Sequence, residues 1–194
     1  FNPVNHLIYA SSSSVYGDNS EIPFSELHKT DNPISLYAAT KKSNELLAYT
    51  YCYLYKIPVT GIRFFSIYGP WGRPDMAYYS FTEKIMANQA IEIYNDGKMK
   101  RDFTYIDDAV NALVMLLNKI ITKEVNNDKL YYKILNIGNN NPISLLTFVS
   151  ILEKELGKKA IRINKPIQSG DVIETYADVD ELINEINYKP STDI

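Results

Sequence analysis

The sequence has little cysteine, histidine and tryptophan. Its 194 residues include one cysteine, two histidines and one tryptophan, and the histidines have no partners at the spacing of metal ligands. A single cysteine excludes an intrachain disulfide and a cysteine-based metal site, and it fits a protein of the reducing cytosol. No apolar run approaches the ~20 residues of a membrane-spanning helix. We therefore predict a cytoplasmic protein that holds no metal and is not embedded in a membrane.

Clustered positive charge is missing as well. The net charge is −3, with 20 Lys and Arg against 23 Asp and Glu. Proteins that bind nucleic acids generally carry clustered basic side chains, so we predict no nucleic-acid partner. The length fits about one globular domain with a buried core.

The eight glycines form no G-x-G-x-x-G or G-x-x-G-x-x-G turn. Such a turn after a first strand is how open α/β folds hold the pyrophosphate of a dinucleotide. The chain opens on Phe1 and enters a central strand almost at once, at 7–10. We expect the chain to be a piece of a longer protein, with a glycine-rich turn encoded upstream of Phe1.

A long helix is predicted over 36–55, because Ser35 precedes it and Pro58 ends it. Tyr37 and Lys41 lie four residues apart and therefore share one face of this helix. The ammonium favours the phenolate and should lower the pKa of the phenol from its usual value of about 10. The pair is a candidate acid/base device for a sugar or alcohol hydroxyl. Alone, Y-x-x-x-K is a weak signal, because surface Tyr–Lys pairs are common.

The neighbours of this helix strengthen the signal. A short apolar strand at 7–10 is followed by four serines at 11–14, and a second apolar strand at 59–64 follows the helix. Strand, crossover helix and strand form one parallel unit. Ligands in open α/β sheets bind beyond the carboxyl ends of the strands, which is where the serines lie. The pattern predicts an α/β fold with a site at this edge.

Seven stretches together resemble the extended short-chain dehydrogenase/reductases, the NAD-dependent nucleotide-sugar epimerases and dehydratases. The subgroup that they resemble most is the UDP-glucuronate 4-epimerases, through SSSSVYG and GPWGRPDMA. The resemblance runs in order from Leu7 to about Tyr188. The stretches are ASSSSVYG, PFSE, SLYAATKKSNE, RFFSIYGPWGRPDMA, MKRDFTYIDDAV, LNIGN and GDVIETYAD.

This resemblance implies the C-terminal part of a Rossmann-like doubly wound parallel sheet plus a smaller α/β substrate-binding lobe. The second half of the NAD-binding domain would comprise residues 1–68, with 99–138 returning to it. Residues 69–98 and 139–194 would form the substrate-binding lobe. In the family, the helix over 36–55 packs against its copy in a second subunit, so we predict a homodimer through this helix, whose C-terminal half is rich in tyrosine.

The resemblance also implies roles for individual residues. Ser12, Tyr37 and Lys41 would be catalytic, and NAD would be bound by Tyr37, Lys41, Phe64 and Phe65. Arginine suits bidentate recognition of a carboxylate, as expected for a uronic acid. Residue 66, a serine here, is usually threonine in the family. The residues implied for the UDP-sugar are Ser13, Ser14, Ser66, Arg73, Arg101 and Asp171.

The implied reaction is 4-epimerisation of a nucleotide sugar through transient oxidation at C4, with Tyr37 as base and acid. A 4,6-dehydratase of the family has Asp and Glu where Ser13 and Ser14 stand, and a uronate decarboxylase commonly has Glu at the second place. These enzymes, or a reductase, remain alternatives, as does a fragment that acts only as a binding or dimerisation module. Asp107 and Asp108 are expected to be structural, at the start of a helix.

Three further segments are predicted from local patterns. An amphipathic helix is predicted over 79–89. Ser144 is expected to cap a helix that extends to Leu156. Residues 121–132 are predicted to form a polar connection.

Overall fold

A computed structural model describes residues 4–119, 131–168 and 170–194. A 3-10 turn, Ser13–Tyr16, follows the first strand after Ser11 and Ser12, and another spans Asn95–Gly97. The strands are β1 (Leu7–Ala10), β2 (Val59–Phe64), β3 (Ser66–Tyr68), β4 (Ala90–Tyr94), β5 (Lys100–Tyr105), β6 (Tyr132–Ile137), β7 (Pro142–Ser144) and β8 (Ile161–Lys165). The helices are α1 (Leu36–Tyr55), α2 (Ala77–Met86), α3 (Ile106–Asn118), α4 (Leu145–Leu156) and α5 (Asp180–Ile186).

A parallel sheet in the order β1-β2-β6 is covered on both faces by helices. Side chains alternate between the faces of a strand, so Val59 and Ile62 of β2 point in opposite directions. Val59 packs with Ala48 and Cys52 of α1, whereas Ile62 packs with α3 and α5 on the other face. The chain therefore forms the three-layer α/β arrangement that the sequence predicts.

A second core lies around β4, β5 and the helices α2 and α4. It is formed by Ile85, Ile91, Ile93, Phe103, Phe148 and Val149. β5 pairs with β3 in parallel and with β7 in antiparallel, and β4 pairs with β8 in parallel. Phe103 of β5 thus belongs to this core, while α3, which follows at once, packs on the first sheet. The domain boundaries at 68, 98 and 138 stay a prediction.

The observed helix ends show how far capping signals predict them. Ser35 accepts a hydrogen bond from the amide of Ala38 at the start of α1, and Ser144 does the same for α4. The prediction for α2 was less accurate. The helix begins two residues before the predicted start at 79. It ends three residues before the predicted end at 89, because Asn88 takes a left-handed φ of 55°. Its first residue follows Met76, which caps nothing with its side chain. The short strands β3 and β7 were not predicted. The polar connection is predicted over 121–132, and all of it except its last two positions lies outside the described residues.

Asp108 anchors the C-terminal segment rather than only capping α3. Its carboxylate accepts hydrogen bonds from the backbone amides of Ser191 and Thr192 and from the Tyr188 hydroxyl, at 2.8–3.2 Å. Asp107 also lies in the first turn of α3, where a carboxylate complements the helix dipole. No helix in the described ranges is long and apolar enough to cross a membrane.

Candidate active site

The serine turn lies at the carboxyl end of β1. The Ser12 hydroxyl oxygen accepts hydrogen bonds from the backbone amide of Ser14, at 3.2 Å, and from the Ser14 hydroxyl, at 3.0 Å. A hydroxyl can accept two hydrogen bonds and still donate its own proton. The Ser12 proton is used by neither bond, so it can be donated to a ligand oxygen above the turn. Ser12, Ser13 and Ser14 are all half-buried.

Tyr37 and Lys41 lie in the first turns of α1. The Lys41 ammonium is 5.8 Å from the centre of the Tyr37 ring. It also donates to the backbone carbonyl of Ala10, at 3.2 Å, the residue that precedes the serines. Half of the Tyr37 side chain, 51%, is exposed. The lysine thus joins the tyrosine to the end of β1, and the phenol remains accessible to a ligand.

A cavity of about 440 Å³ opens between α2, β4, β5 and the segment after β8. Ser66, Arg101 and Asp171, three of the residues predicted to bind substrate, line it. Arg101 donates to the Asp171 carboxylate at 2.7 Å, and burial lowers the pKa of its guanidinium even though Asp171 opposes that change. The cavity therefore offers apolar walls together with a half-buried cation, a combination that suits a nucleotide and its phosphates.

Arg73 forms an exposed ion pair with Asp75, a residue that lines this cavity. Its Nε donates to the Asp75 carboxylate at 3.0 Å, and its Nη2 donates to the other carboxylate oxygen. The hydrogen bonds and the charge of Asp75 raise the pKa of Arg73, and the nearby Tyr37 raises it further. Asp75 lines the cavity, and the sequence reading passed over it. A ligand carboxylate would have to share Arg73 with Asp75 or displace it.

Phe64 and Phe65 lie where β2 ends. Phe65 is buried against Tyr16 and Phe24, with ring centres 6.4 Å apart in both pairs. Phe64 is half-buried and packs on the core beneath the sheet. Both residues are at the same sheet edge as the serine turn. Their predicted contact with a nicotinamide ring stays a prediction.

A buried ion pair beside the serine turn was missed by the sequence reading. Glu45 of α1 and Arg63 of β2 are joined by two hydrogen bonds, of 2.9 and 3.0 Å, and both side chains are 4% exposed. Glu45 also accepts from the Ser11 hydroxyl at 2.7 Å. An arginine within the apolar run VTGIRF was the available signal, since a buried charge needs a partner.

Glu26 was also missed. Its Oε1 accepts from the backbone amide of Asn136 at 2.7 Å, while its Oε2 is buried and has no partner among the described residues. Burial raises the pKa of Glu26 to about 7. A carboxyl with a raised folded-state pKa binds more protons when folded, so stability falls as the pH rises from about 4.5 to about 7 and is level above that range.

The substitution Glu26→Gln is expected to remove this loss. The free energy of unfolding of the variant should exceed that of the wild type by about 1–2 kcal/mol at pH 8, a figure discounted for partial exposure. At pH 4.5 the advantage should vanish, because both side chains are then uncharged. Urea unfolding at the two pH values measures the difference. An equal difference at both would contradict the assignment.

A sequence model of the NAD dependent epimerase/dehydratase family matches residues 2–138. The chain belongs to this family. It is 52% identical to the protein CapI of Staphylococcus aureus, over 98% of the chain and 60% of CapI. It is 45% identical to a probable UDP-glucuronate 4-epimerase of Rhizobium meliloti, over 97% of the chain and 58% of that protein. The chain thus spans 60% or less of the length of these relatives.

Solved structures of the epimerase/dehydratase family have the same fold. A UDP-glucuronic acid 4-epimerase from Bacillus cereus, in complex with UDP-glucuronic acid and NAD, superposes with a TM-score of 0.87 at 32% identity, over 99% of this chain and 58% of that one. MoeE5 in complex with UDP-glucuronic acid and NAD gives a TM-score of 0.87 at 31% identity, over 98% and 61%. The predicted fold class, part of a Rossmann-like sheet with a smaller α/β part, is confirmed.

Proposed function

We propose that this chain is part of an NAD-dependent nucleotide-sugar 4-epimerase of the UDP-glucuronate/UDP-galacturonate type. One observation carries the proposal. The half-exposed Tyr37 phenol and the Lys41 ammonium share a helix face, and Lys41 is bound to the strand end that leads into the Ser12 turn. These contacts support a site in which a base, a cation and a hydroxyl donor lie at the carboxyl edge of a parallel sheet, where α/β enzymes bind their ligands.

The residues at this edge fit NAD as the cofactor. Lys41 has three donor hydrogens and spends one on the Ala10 carbonyl, so two remain for ribose hydroxyls. Phe64 and Phe65 lie at the neighbouring strand end and would border the nicotinamide. Bound NAD would accept a hydride from C4 of the sugar and return it.

The protein residues would handle the proton. Tyr37, with the Lys41 ammonium one helical turn away, would remove the proton from the C4 hydroxyl. Ser12 would donate its free hydrogen to the same oxygen and hold it against Tyr37. After the 4-keto sugar rotates in the site, the hydride would return to the opposite face of C4, and Tyr37 would give the proton back to O4.

The cavity supports a uronic acid nucleotide as the substrate. Arg101, paired with Asp171, would contact the diphosphate, and Arg73, together with Ser66, would contact the C6 carboxylate. Ser13 and Ser14, half-buried in the turn, supply hydroxyls for the sugar. Neither can act as the acid or base that a 4,6-dehydratase or a uronate decarboxylase needs at these places, so both alternatives, like a reductase, are less favoured.

The test uses the protein expressed from the whole open reading frame that encodes this chain. Incubated with UDP-glucuronate, it is expected to form UDP-galacturonate with no net NADH, which NMR of the anomeric protons resolves. Release of carbon dioxide or of a 4-keto-6-deoxy sugar would favour the decarboxylase or the dehydratase instead. A folded protein that binds NAD and UDP but converts no sugar would favour a binding module.

We also infer a cytoplasmic homodimer through α1. The C-terminal half of this helix exposes leucines and tyrosines by roughly half or more, among them Leu46, Leu47, Leu54 and Tyr55. Contiguous exposed apolar side chains of this kind mark interfaces. The single cysteine, Cys52, is buried as a free thiol, which is compatible with the cytosol.

The paired change Leu46→Asp and Leu54→Asp is expected to convert the dimer into a monomer, because two charges would be buried in the interface. Light scattering coupled to size exclusion measures the mass. Leu117→Asp, on an equally exposed leucine of α3, is the control and should leave the dimer intact. A wild-type protein that is monomeric at all concentrations would refute the inference.

A further inference from the structure

The ends of the serine turn are both held by one buried ion pair. Ser11, immediately before the turn, donates its hydroxyl to Glu45 at 2.7 Å. At the other end, the Arg63 guanidinium lies 4.8 Å from the centre of the Tyr16 ring. Two hydrogen bonds join Glu45 and Arg63 to each other, so this one ion pair holds both ends of the turn in place.

The same unit is carried by the helix that presents the acid/base pair. Glu45 lies four residues after Lys41 and eight after Tyr37, so all three fall on one face of α1. Ser11 is tied to β2 as well, since its backbone amide donates to the carbonyl of Ile62, the neighbour of Arg63. Helix, strand and turn therefore share one rigid junction.

Further bonds fix the junction to its surroundings. Lys42 donates to Thr30 at 2.5 Å and lies 3.4 Å from Glu45, which links the loop before α1. The Tyr16 hydroxyl donates to the Asn136 side chain at 2.8 Å, which links β6. The pair is almost completely buried and is held by these contacts, although the Nη1 of Arg63 has no hydrogen-bond partner among the described residues.

We propose that Glu45, held by Arg63, is a positioning residue that sets the distance between the Ser12 hydroxyl and the Tyr37 phenol. Glu45 is buried and acts on the turn through its hydrogen bond from Ser11. The proposal rests on the epimerase function proposed above. A shift of about 1 Å between reacting groups can cost about 100-fold in rate, so loosening the junction should lower kcat.

Two variants test the positioning role in the full-length protein. Glu45→Gln weakens the ion pair but keeps the shape, and Ser11→Ala removes only the hydroxyl link and leaves the pair in place. We expect kcat to fall about 10–100-fold in Glu45→Gln and about 5–10-fold in Ser11→Ala, with the KM for UDP-glucuronate within about twofold of the wild type. A merely structural role would lower the folded fraction without this split between kcat and KM.

Glu153→Gln is the matched control. Glu153 is 4% exposed, like Glu45, and its bond to Arg162 is 2.9 Å, but it lies in the second core away from the turn. This variant should lose stability and keep its kcat per folded molecule. If Glu45→Gln does not fold, Ser11→Ala decides alone, and an unchanged kcat in Ser11→Ala would then overturn the proposal.

Failure of the positioning role can be separated from failure of the function. If the wild type converts no UDP-glucuronate, the proposed function is wrong. If the wild type is active and Ser11→Ala and Glu45→Gln match Glu153→Gln in kcat, the positioning role alone is wrong.

Discussion

The Tyr37→Phe variant is expected to lose epimerase activity by about 10²–10⁴-fold in kcat, the usual contribution of a positioned acid/base group. The substitution removes one oxygen from a half-exposed ring and leaves no cavity in the core, so folding should be unaffected. Binding of UDP should also be unchanged, since the cavity loses no cation and no hydroxyl. Turnover of UDP-glucuronate by the full-length protein measures the effect.

A second tyrosine–lysine pair on the same helix provides the control. Lys56 lies 5.0 Å from the centre of the Tyr53 ring at the far end of α1, a closer approach than that of Lys41 to Tyr37. Tyr53→Phe should keep the wild-type kcat, because Tyr53 lies about 24 Å further along the helix axis than Tyr37. Equal loss of activity in both variants, or none in Tyr37→Phe, would contradict the catalytic assignment.

The second large effect is expected on stability. Arg63→Met leaves Glu45 as a buried charge without its partner, and breaking a buried ion pair from one side typically costs about 3–5 kcal/mol. Burial alone would raise the pKa of Glu45, but the hydrogen bonds and charge of Arg63 hold it below the ordinary value. Without Arg63, burial becomes the dominant influence on the Glu45 carboxyl, so its pKa should rise.

Because the pKa of Glu45 changes from lowered to raised in Arg63→Met, the stability loss of this variant should depend on pH. A carboxyl with a raised folded-state pKa destabilises the protein more as the pH increases, so the deficit of Arg63→Met should be larger at pH 8 than at pH 5. Adding Glu45→Gln to Arg63→Met removes the orphaned charge and should recover part of the loss. Chemical unfolding of the three proteins at both pH values measures these differences.

Arg162→Met is the control for this series. Arg162 is 36% exposed, and its partner Glu153 keeps a hydrogen bond from Lys159 at 2.8 Å, so the cost should be below about 1 kcal/mol. A deficit for Arg63→Met of the same size would mean that the Glu45–Arg63 pair contributes as little as a surface pair.

Local patterns were enough to predict the parts of the fold that are locally determined. Ser35 and Ser144 gave correct helix starts, because a capping hydroxyl acts over three residues. The apolar runs 7–10 and 59–64 gave parallel strands in the expected order. The end of α2 was misjudged because Asn88 turns the backbone left-handed, which no periodicity reveals.

The site was predictable only where a motif carries it. Tyr37 and Lys41 follow from their spacing, whereas the roles of Arg101 and Asp171 came from resemblance alone. That these two residues touch depends on a contact across 70 positions of sequence. Glu45 was passed over for the same reason, since Ser11 and Arg63 become its neighbours only when helix and sheet have packed. Asp75 is two residues from its partner Arg73, but its place in the cavity wall depends on the fold.

The edge of the main sheet has a practical consequence for solubility. β1 pairs with β2 along one side, and among the described residues no strand pairs with its other side. Unpaired backbone groups on an edge strand invite strand addition by another molecule, and the exposed leucines of α1 lie on the helix packed beside this sheet. The 194-residue chain expressed by itself should therefore precipitate readily, and preparations from the whole reading frame are the safer material for biochemistry.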